Sequence, residues 1–271
     1  MTASTEYLIS SAGSGEVTLA RTIKSEWVKF GTLWSNRLLA ATAVLGMVGI
    51  GWVASFFTNH DWDHLRPRQI ARFDAVDTSL NGWNLAQLAI GVLGVILVTG
   101  EYGTGMIRAT LTAVPTRRPV LWAKLVVLTV VAAVLMTATS FTAFLGGQLF
   151  LGSHSTTLGA PNVLRVVIAT GLYLTLVAVL GLAFGTLLRN TAAGIACFIG
   201  ILLVLPAITD VLPSSWQDTV VKYLPSNAGQ AALTVKADPA LLAPWTGMAV
   251  FACYVVAALV CAAVTLTRRD A

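Results

Sequence analysis

Residues 163–211 read VLRVVIATGLYLTLVAVLGLAFGTLLRNTAAGIACFIGILLVLPAITDV and contain two long apolar blocks that only Arg189 and Asn190 separate. Each block has about 20 residues or more, which is the length that a helix needs to cross roughly 30 Å of hydrocarbon. Because the blocks are continuously apolar, they do not have the alternation expected of membrane β-strands. They predict two antiparallel transmembrane helices joined by a tight turn.

The rest of the chain has the same character. Of its 271 residues, 56% are hydrophobic and only 11% are charged, whereas about a quarter are charged in ordinary soluble domains. Such a composition excludes a soluble globular domain and a disordered chain, and it predicts an all-α polytopic membrane protein. We expect a cytoplasmic N-terminus over residues 1–36 and a transmembrane domain over 37–271. The six expected spans are 38–57, 83–100, 121–150, 163–188, 191–211 and 244–267.

The distribution of basic residues predicts the orientation in the membrane. The net charge is +5, but the basic residues lie between apolar blocks, which indicates membrane topology and not nucleic-acid binding. If the N-terminus is inside, eleven of the 17 Lys and Arg residues fall on the inner side. Six spans then place both termini in the cytoplasm, with membrane lipid as a partner.

The segment before the first span predicts an amphipathic helix. Ile23, Trp27, Phe30 and Trp34 follow one another at intervals of four, three and four residues, so they share one helical face. Helices with aromatic residues on one face and basic residues on another tend to lie in the headgroup plane. We therefore expect an interfacial helix whose Lys24 and Lys29 lie near lipid phosphates or a partner surface.

The longest inner loop, residues 101–124, reads EYGTGMIRATLTAVPTRRPVLWAK. Thr104 can cap a short helix, Gly105 gives the chain a turn, and Ile107 and Leu111 share an apolar face. Residue chemistry leaves two alternatives open: a short helix that binds a partner, or a solvated basic loop. Glu101, at the start of this loop, lies within possible reach of two cations, Arg108 and Lys124. A partly buried pair there would fix the angle of the loop.

Several polar residues elsewhere could contribute to a pathway through the membrane. Asp210 lies at the outer end of the fifth span, where an ionisable residue is a candidate functional site. Gln87 and Gln148 lie in spans, and hydrogen bonding between helices is the favoured alternative for both. The outer stretch 212–243 predicts a short helix between Pro213 and Pro225, which dips into the outer leaflet.

The sequence gives no indication of catalysis by the chain itself. It contains no GxxxxGK[ST] phosphate-binding loop. The cluster HDWDH at residues 60–64 does not have a zinc-site spacing, and we interpret it as a solvated loop. We therefore predict no catalytic, cofactor-binding or metal-binding residue.

With these features in view, the chain resembles the membrane subunit of bacterial ABC-type-2 exporters, the permease that works with a separate ATPase. The stretch SEWVKFGTLWSNR at residues 25–37, the six blocks and the tight turn after the fourth block contribute to the resemblance. The inner-loop residues that carry it are Glu101, Gly105, Arg108, Leu111, Pro115, Arg117 and Lys124.

The resemblance implies a partner and a location. The inner loop would be a cytoplasmic coupling helix inserted into a groove of the ATPase, of which two copies would bind ATP and magnesium. One chain would supply half of the pathway and pair with a second copy of itself or a similar permease in the bacterial plasma membrane. The residues expected to couple to the ATPase are Glu101, Gly105, Ile107, Arg108, Leu111 and Arg117.

A second function class remains open. A polytopic membrane protein that transports nothing, such as an immunity, sensor or assembly factor, has the same composition. It would have no ATPase in the neighbouring reading frame and would show no ATP-linked movement of solute.

Overall fold

The structure, a computed structural model, describes residues 18–106, 118–208, 220–236 and 240–268. All regular secondary structure in these ranges is helical. Five residues predicted to be functional lie outside the described residues, namely Ile107, Arg108, Leu111, Arg117 and Asp210.

Six helices of the described residues are long and apolar enough to cross a membrane, which confirms the predicted all-α polytopic fold. The spanning helices are α2 (Trp34–His60), α5 (Trp83–Gly103), α6 (Arg118–Leu151), α7 (Val163–Leu188), α8 (Thr191–Ile208) and α10 (Pro244–Arg268). The shorter helices are α1 (Leu19–Thr32), α3 (Pro67–Arg72), α4 (Ala75–Leu80) and α9 (Pro225–Gln230).

Helix α7 lies at the centre and packs against α5, α6 and α10. In its most apolar stretch 83% of the residues are buried, compared with 17% in α8. A Cβ atom on Gly94 would overlap the carbonyl of Ala178, and one on Gly181 would overlap the carbonyl of Gly91. Glycine therefore lets α5 and α7 approach each other closely, as small residues do between membrane helices.

Helix α8 departs from α-helical geometry in its middle, where Gly200–Val204 form a π-helical segment. Pro206 lies two residues after the end of this segment. Proline has no amide hydrogen and its ring clashes with the carbonyl four residues earlier, here Leu202. The π-helical segment accommodates this proline within a span.

In the first outer loop His60, Asp61, Asp63 and His64 are exposed, whereas the later part of the loop folds into α3 and α4. Val76 and Leu80 of α4 are buried, because a spacing of four residues gives this short helix an apolar face. The Gln148 amide donates to the Ala75 carbonyl at 2.9 Å and to the Ser79 hydroxyl at 3.1 Å. Gln148 thus joins α6 to α4, which supports its interpretation as a hydrogen-bonding residue between helices.

Most of the helix predicted in the outer stretch, residues 213–219, lies outside the described residues. In the described part, Val221–Tyr223 form a single 3-10 turn, and Pro225 begins α9, because proline suits the first helical position, where no amide hydrogen is needed. Ala228 and Gly229 of α9 are buried, and Gly229 faces the ring of Tyr173. The Tyr173 hydroxyl donates to Gln87 at 2.8 Å. Gln87 therefore joins α5 to α7 and, like Gln148, has a partner within the bundle.

Candidate functional site: an ion cluster that joins three helices

Helix α1 presents polar side chains to the membrane helices and aromatic ones to its surroundings. It begins after Thr18, whose hydroxyl accepts a hydrogen bond from the amide of Arg21 at 3.4 Å. Thr22 and Glu26, one turn apart, are buried, whereas Trp27 is 53% exposed. The face that docks on the protein therefore contains buried polar side chains, beside the partly buried Phe30.

Four charged side chains form a closed cluster where α1 meets the ends of α5 and α6, and we call them the ion cluster: Glu26, Lys29, Glu101 and Lys124. The Lys124 ammonium lies 2.7 Å from Glu26 Oε2 and 2.8 Å from Glu101 Oε1. The Lys29 ammonium lies 2.9 Å from Glu26 Oε1 and 3.0 Å from Glu101 Oε1. Each ammonium contacts both carboxylates, so the formal charges cancel.

The ion cluster is largely removed from solvent. Glu26 and Lys124 are each 3% exposed and Glu101 is 7% exposed. Lys124 uses all three of its donors, because it also donates to the carbonyl of Leu97 at 3.3 Å. Burying charges costs several kcal/mol per ion unless they are paired and hydrogen-bonded, and here the four charges compensate one another.

Lys29 is the most exposed member of the ion cluster, with 26% of its side chain accessible. Burial disfavours its charge, but the hydrogen bonds to Glu26 and Glu101 outweigh burial and raise the pKa of the Lys29 ammonium. This lysine therefore stays charged throughout the physiological pH range.

The ion cluster fixes both ends of one chain segment. Glu101 lies two residues before the last residue of α5, and Lys124 lies in the second turn of α6. Between them runs the loop that the sequence predicted to contain the coupling helix. Both ends of that loop are thus bound to the same face of α1.

Of the two cations considered for Glu101, Lys124 contacts it. Arg108 lies outside the described residues, so its contact stays a prediction. Lys29 was expected near lipid phosphates or a partner surface, and its ammonium contacts two carboxylates of the chain itself. One of them, Glu101, lies 72 positions away, so the helical spacing of α1 could not indicate this contact.

The four residues predicted to share the apolar face of the interfacial helix belong to two helices. Ile23, Trp27 and Phe30 lie on α1, whereas Trp34 is the first residue of α2, because the helix is interrupted at Leu33. Trp34 is 73% exposed, and Ile23 and Phe30 are partly buried. The two tryptophans are available to the lipid headgroup region, where indole rings are enriched.

Gly105 and Thr104 form the exit from α5. Gly105 has φ +72°, a conformation that favours glycine, as expected for a turn. The Thr104 hydroxyl donates to the Gly100 carbonyl at 2.9 Å and closes the end of α5, whereas most of the short helix that it was predicted to cap lies outside the described residues.

Arg189 extends this end of the bundle to the turn between α7 and α8. Its backbone is left-handed, with φ 53°, and the Asn190 side chain caps α8 by accepting from Ala193 at 3.0 Å. The Arg189 guanidinium lies 5.6 Å from the ring centroid of Tyr102, the residue that follows Glu101. The predicted tight turn thus lies beside the ion cluster.

Sequence reasoning missed Glu26 as a site residue. The available signal was that Glu26 is the one acidic residue in α1 and lies three positions before Lys29. An isolated carboxylate beside an aromatic face, next to spans with few charges, indicates a charged partner in the spans.

The six apolar helices define a multi-pass membrane protein. The ion cluster binds its N-terminal helix α1 to the ends of two spans. Residues 22–207, more than half of the chain, match the family described as ABC-2 family transporter protein. The chain therefore belongs to this family and is a permease subunit of an ABC transporter. The matched residues include the whole ion cluster. None of the curated proteins matches the chain.

Proposed function

We propose that this chain is half of an ATP-driven exporter, pairs with a second copy or a similar permease, and is coupled to two copies of a separate ATPase that binds ATP and magnesium. The observation that carries the proposal is the ion cluster, which fixes both ends of the loop between α5 and α6 to α1. Export, rather than import, rests on the resemblance of that loop to those of ABC-type-2 exporters.

In this proposal α1 and the ends of α5 and α6 move as one body. The contacts of 2.7–3.0 Å within the ion cluster are charge-assisted hydrogen bonds, which are about twice as strong as neutral ones. A displacement that the ATPase imposes on the loop would reach both spans and α1 together. Independent movement of the three helices would require buried charges to separate.

The proposed location is the bacterial plasma membrane, with both termini in the cytoplasm. The ion cluster then lies on the cytoplasmic side, where an ATPase has access to it. The exposed indoles of Trp27 and Trp34 would lie at the cytoplasmic headgroup level.

The experiment is reconstitution of the chain with its ABC ATPase in proteoliposomes, comparing wild type with Glu101→Gln. The amide keeps the shape of the side chain but leaves two lysines with one carboxylate, and breaking a buried pair costs about 3–5 kcal/mol. We expect ATP hydrolysis to persist but to respond less to transported substrate. Solute movement per ATP should fall as well.

A second pair of variants tests the docking of the ATPase itself. Ile107→Asp and Leu111→Asp place a charge on the predicted apolar face of the loop, so co-purification of the ATPase should be lost while the chain still inserts into the membrane. Lys24→Gln, which removes an exposed charge outside the ion cluster, is the matched control and should retain ATPase. If both aspartate variants bind ATPase and transport normally, this loop is not the docking element.

A further inference from the structure

A cavity of about 370 Å³ lies between three of the spanning helices, α7, α8 and α10. Its walls include Leu180 of α7, Ile201 and Leu205 of α8, and Tyr254 and Ala258 of α10. Leu224, the residue before α9, closes one side. Among the described residues that line it, the only side-chain heteroatom is the Tyr254 hydroxyl, so this part of the wall presents hydrocarbon to an occupant.

The cavity lies deep in the membrane domain. Tyr254 is ten residues from the start of α10 at Pro244, and Ala258 is ten residues from its end at Arg268. At 1.5 Å per residue each position is about 15 Å from an end of the helix, near the middle of a hydrocarbon layer of about 30 Å.

Two departures from regular helix form part of the same wall. Ile201 belongs to the π-helical segment of α8, and π-helical turns within α-helices are frequent at functional sites. Leu224 has extended backbone angles, φ −59° and ψ 144°, beside spans at membrane depth. Irregular backbone at this depth is tolerated where it is buried or lines a cavity. Both irregular segments contribute a residue to the cavity wall, Ile201 and Leu224.

We propose that this cavity binds the acyl chain of a membrane-dissolved amphiphile, which enters sideways from the bilayer. Leu205 and Tyr254 at its rim are 39% and 43% exposed, so the opening faces the surroundings of the spans, where acyl chains are the abundant apolar molecules. The volume falls within the ordinary range for ligand sites, about 300–1,000 Å³. The described residues of the walls include no charged group that would bind a polar solute. As a statement about the transported substrate, an amphiphile with an aliphatic chain, the inference rests on the proposed function.

Photolabelling tests the binding site without any ATPase. The purified chain is reconstituted in vesicles of phosphatidylethanolamine and phosphatidylglycerol that contain phosphatidylglycerol with a diazirine in the middle of one acyl chain. After irradiation, mass spectrometry locates the adducts. We expect them to concentrate on the residues that line the cavity.

Substitutions that fill the cavity should strongly reduce the labelling of the residues that line it. Leu205→Trp and Ala258→Trp place an indole in the cavity from two different helices, and each should reduce labelling of the lining residues several-fold. The matched controls are Val204→Trp and Val256→Trp, which add the same indole at exposed positions, 49% and 58%, and should label as wild type does.

A monodisperse elution profile for at least one filling variant shows that the loss of labelling is not a loss of folding. The proposal is overturned if adducts spread evenly over the exposed faces of α2, α8 and α10, or if the filling variants are labelled as strongly as their controls. Because no ATPase is present, such a result would leave the permease function untouched. Conversely, failure of the ATPase to bind would leave the cavity and its labelling unaffected.

Discussion

Gly103 and Gly105 are two residues apart at the end of α5, and in both cases a Cβ atom would meet open space. Their backbones differ, because Gly103 is helical and Gly105 has φ +72°. A clash with neighbouring atoms therefore does not distinguish an alanine at Gly103 from one at Gly105. The backbone conformation of each position decides the effect of the substitution on stability. Gly105 sets the direction in which the chain leaves the membrane domain beside the ion cluster.

We predict that Gly105→Ala weakens the exit turn and Gly103→Ala does not. An L-residue in the left-handed region costs roughly 1–2 kcal/mol, whereas alanine in place of a helical glycine gains about 0.5–1 kcal/mol. Thermal unfolding in detergent should show a lower midpoint for Gly105→Ala, and ATP hydrolysis in the reconstituted complex should be less well coupled. Equal midpoints for the two variants would contradict the role given to the turn.

At the scale of elements, α1 is bound to the spans by the polar side chains of Glu26 and Lys29, beside which Phe30 packs against the core. Glu26 and Lys29 contact the ends of α5 and α6, while Trp27 points away from the protein. An amphipathic helix of this kind has two docking surfaces, one for protein and one for lipid. If its indole is buried in the headgroup region, as proposed, that burial would add to the contacts with the spans and would not replace them.

We predict that Lys29→Gln loosens α1 and that Lys24→Gln does not. Hydrogen bonds to charged groups contribute about 1.5–3 kcal/mol, and Lys29 makes two of them, whereas Lys24 is exposed on the same helix. Chymotrypsin cleavage after Trp27 or Phe30 in inside-out vesicles measures how often α1 detaches. Faster cleavage is expected only for Lys29→Gln, and equal rates for both variants would show that the ion cluster does not hold the helix.

The sequence allows the spans to be predicted because each is a continuous apolar block, and α7 and α8 were the clearest since only Arg189 and Asn190 separate them. The docking of α1 could not be predicted from its periodicity. The partners of Glu26 and Lys29 lie 98 and 72 positions away, and pairing over such distances is decided by how the spans pack. The amphipathic pattern identified the aromatic face, but it could not show that the adjacent polar stripe was buried.

At the scale of the whole molecule, the two ends of the bundle are built differently. The end with α1 holds the ion cluster and the turn at Arg189, both close to the exit from α5. The opposite end is covered by short helices, including α4 and α9, whose buried faces pack on the spans. There Arg165 donates to the carbonyls of Ala232 and Thr234 at 3.0 and 2.8 Å. Among the described residues, the pairs of opposite charges therefore lie at the α1 end, and short helices cover the other end.

The orientation of these two ends can be tested directly, and we predict that the α1 end faces the cytoplasm. Gly31 on α1 has open space around it, and Thr157 is exposed between α6 and α7. Lys124 and Leu151 are 27 residues apart on α6, or about 40 Å at 1.5 Å per residue, so Gly31 and Thr157 lie on opposite sides of the bilayer.

In a chain whose Cys197, Cys253 and Cys261 are replaced by alanine, a membrane-impermeant maleimide should label Thr157→Cys in intact cells. It should label Gly31→Cys only in inside-out vesicles, because eleven of the 17 basic residues then lie in the cytoplasm, the side on which Lys and Arg accumulate. A cytosolic thiol protein that stays unlabelled shows that the cells are intact. The reverse pattern would place the ion cluster outside the cell, beyond the reach of any ATPase, and would overturn both the topology and the proposed coupling.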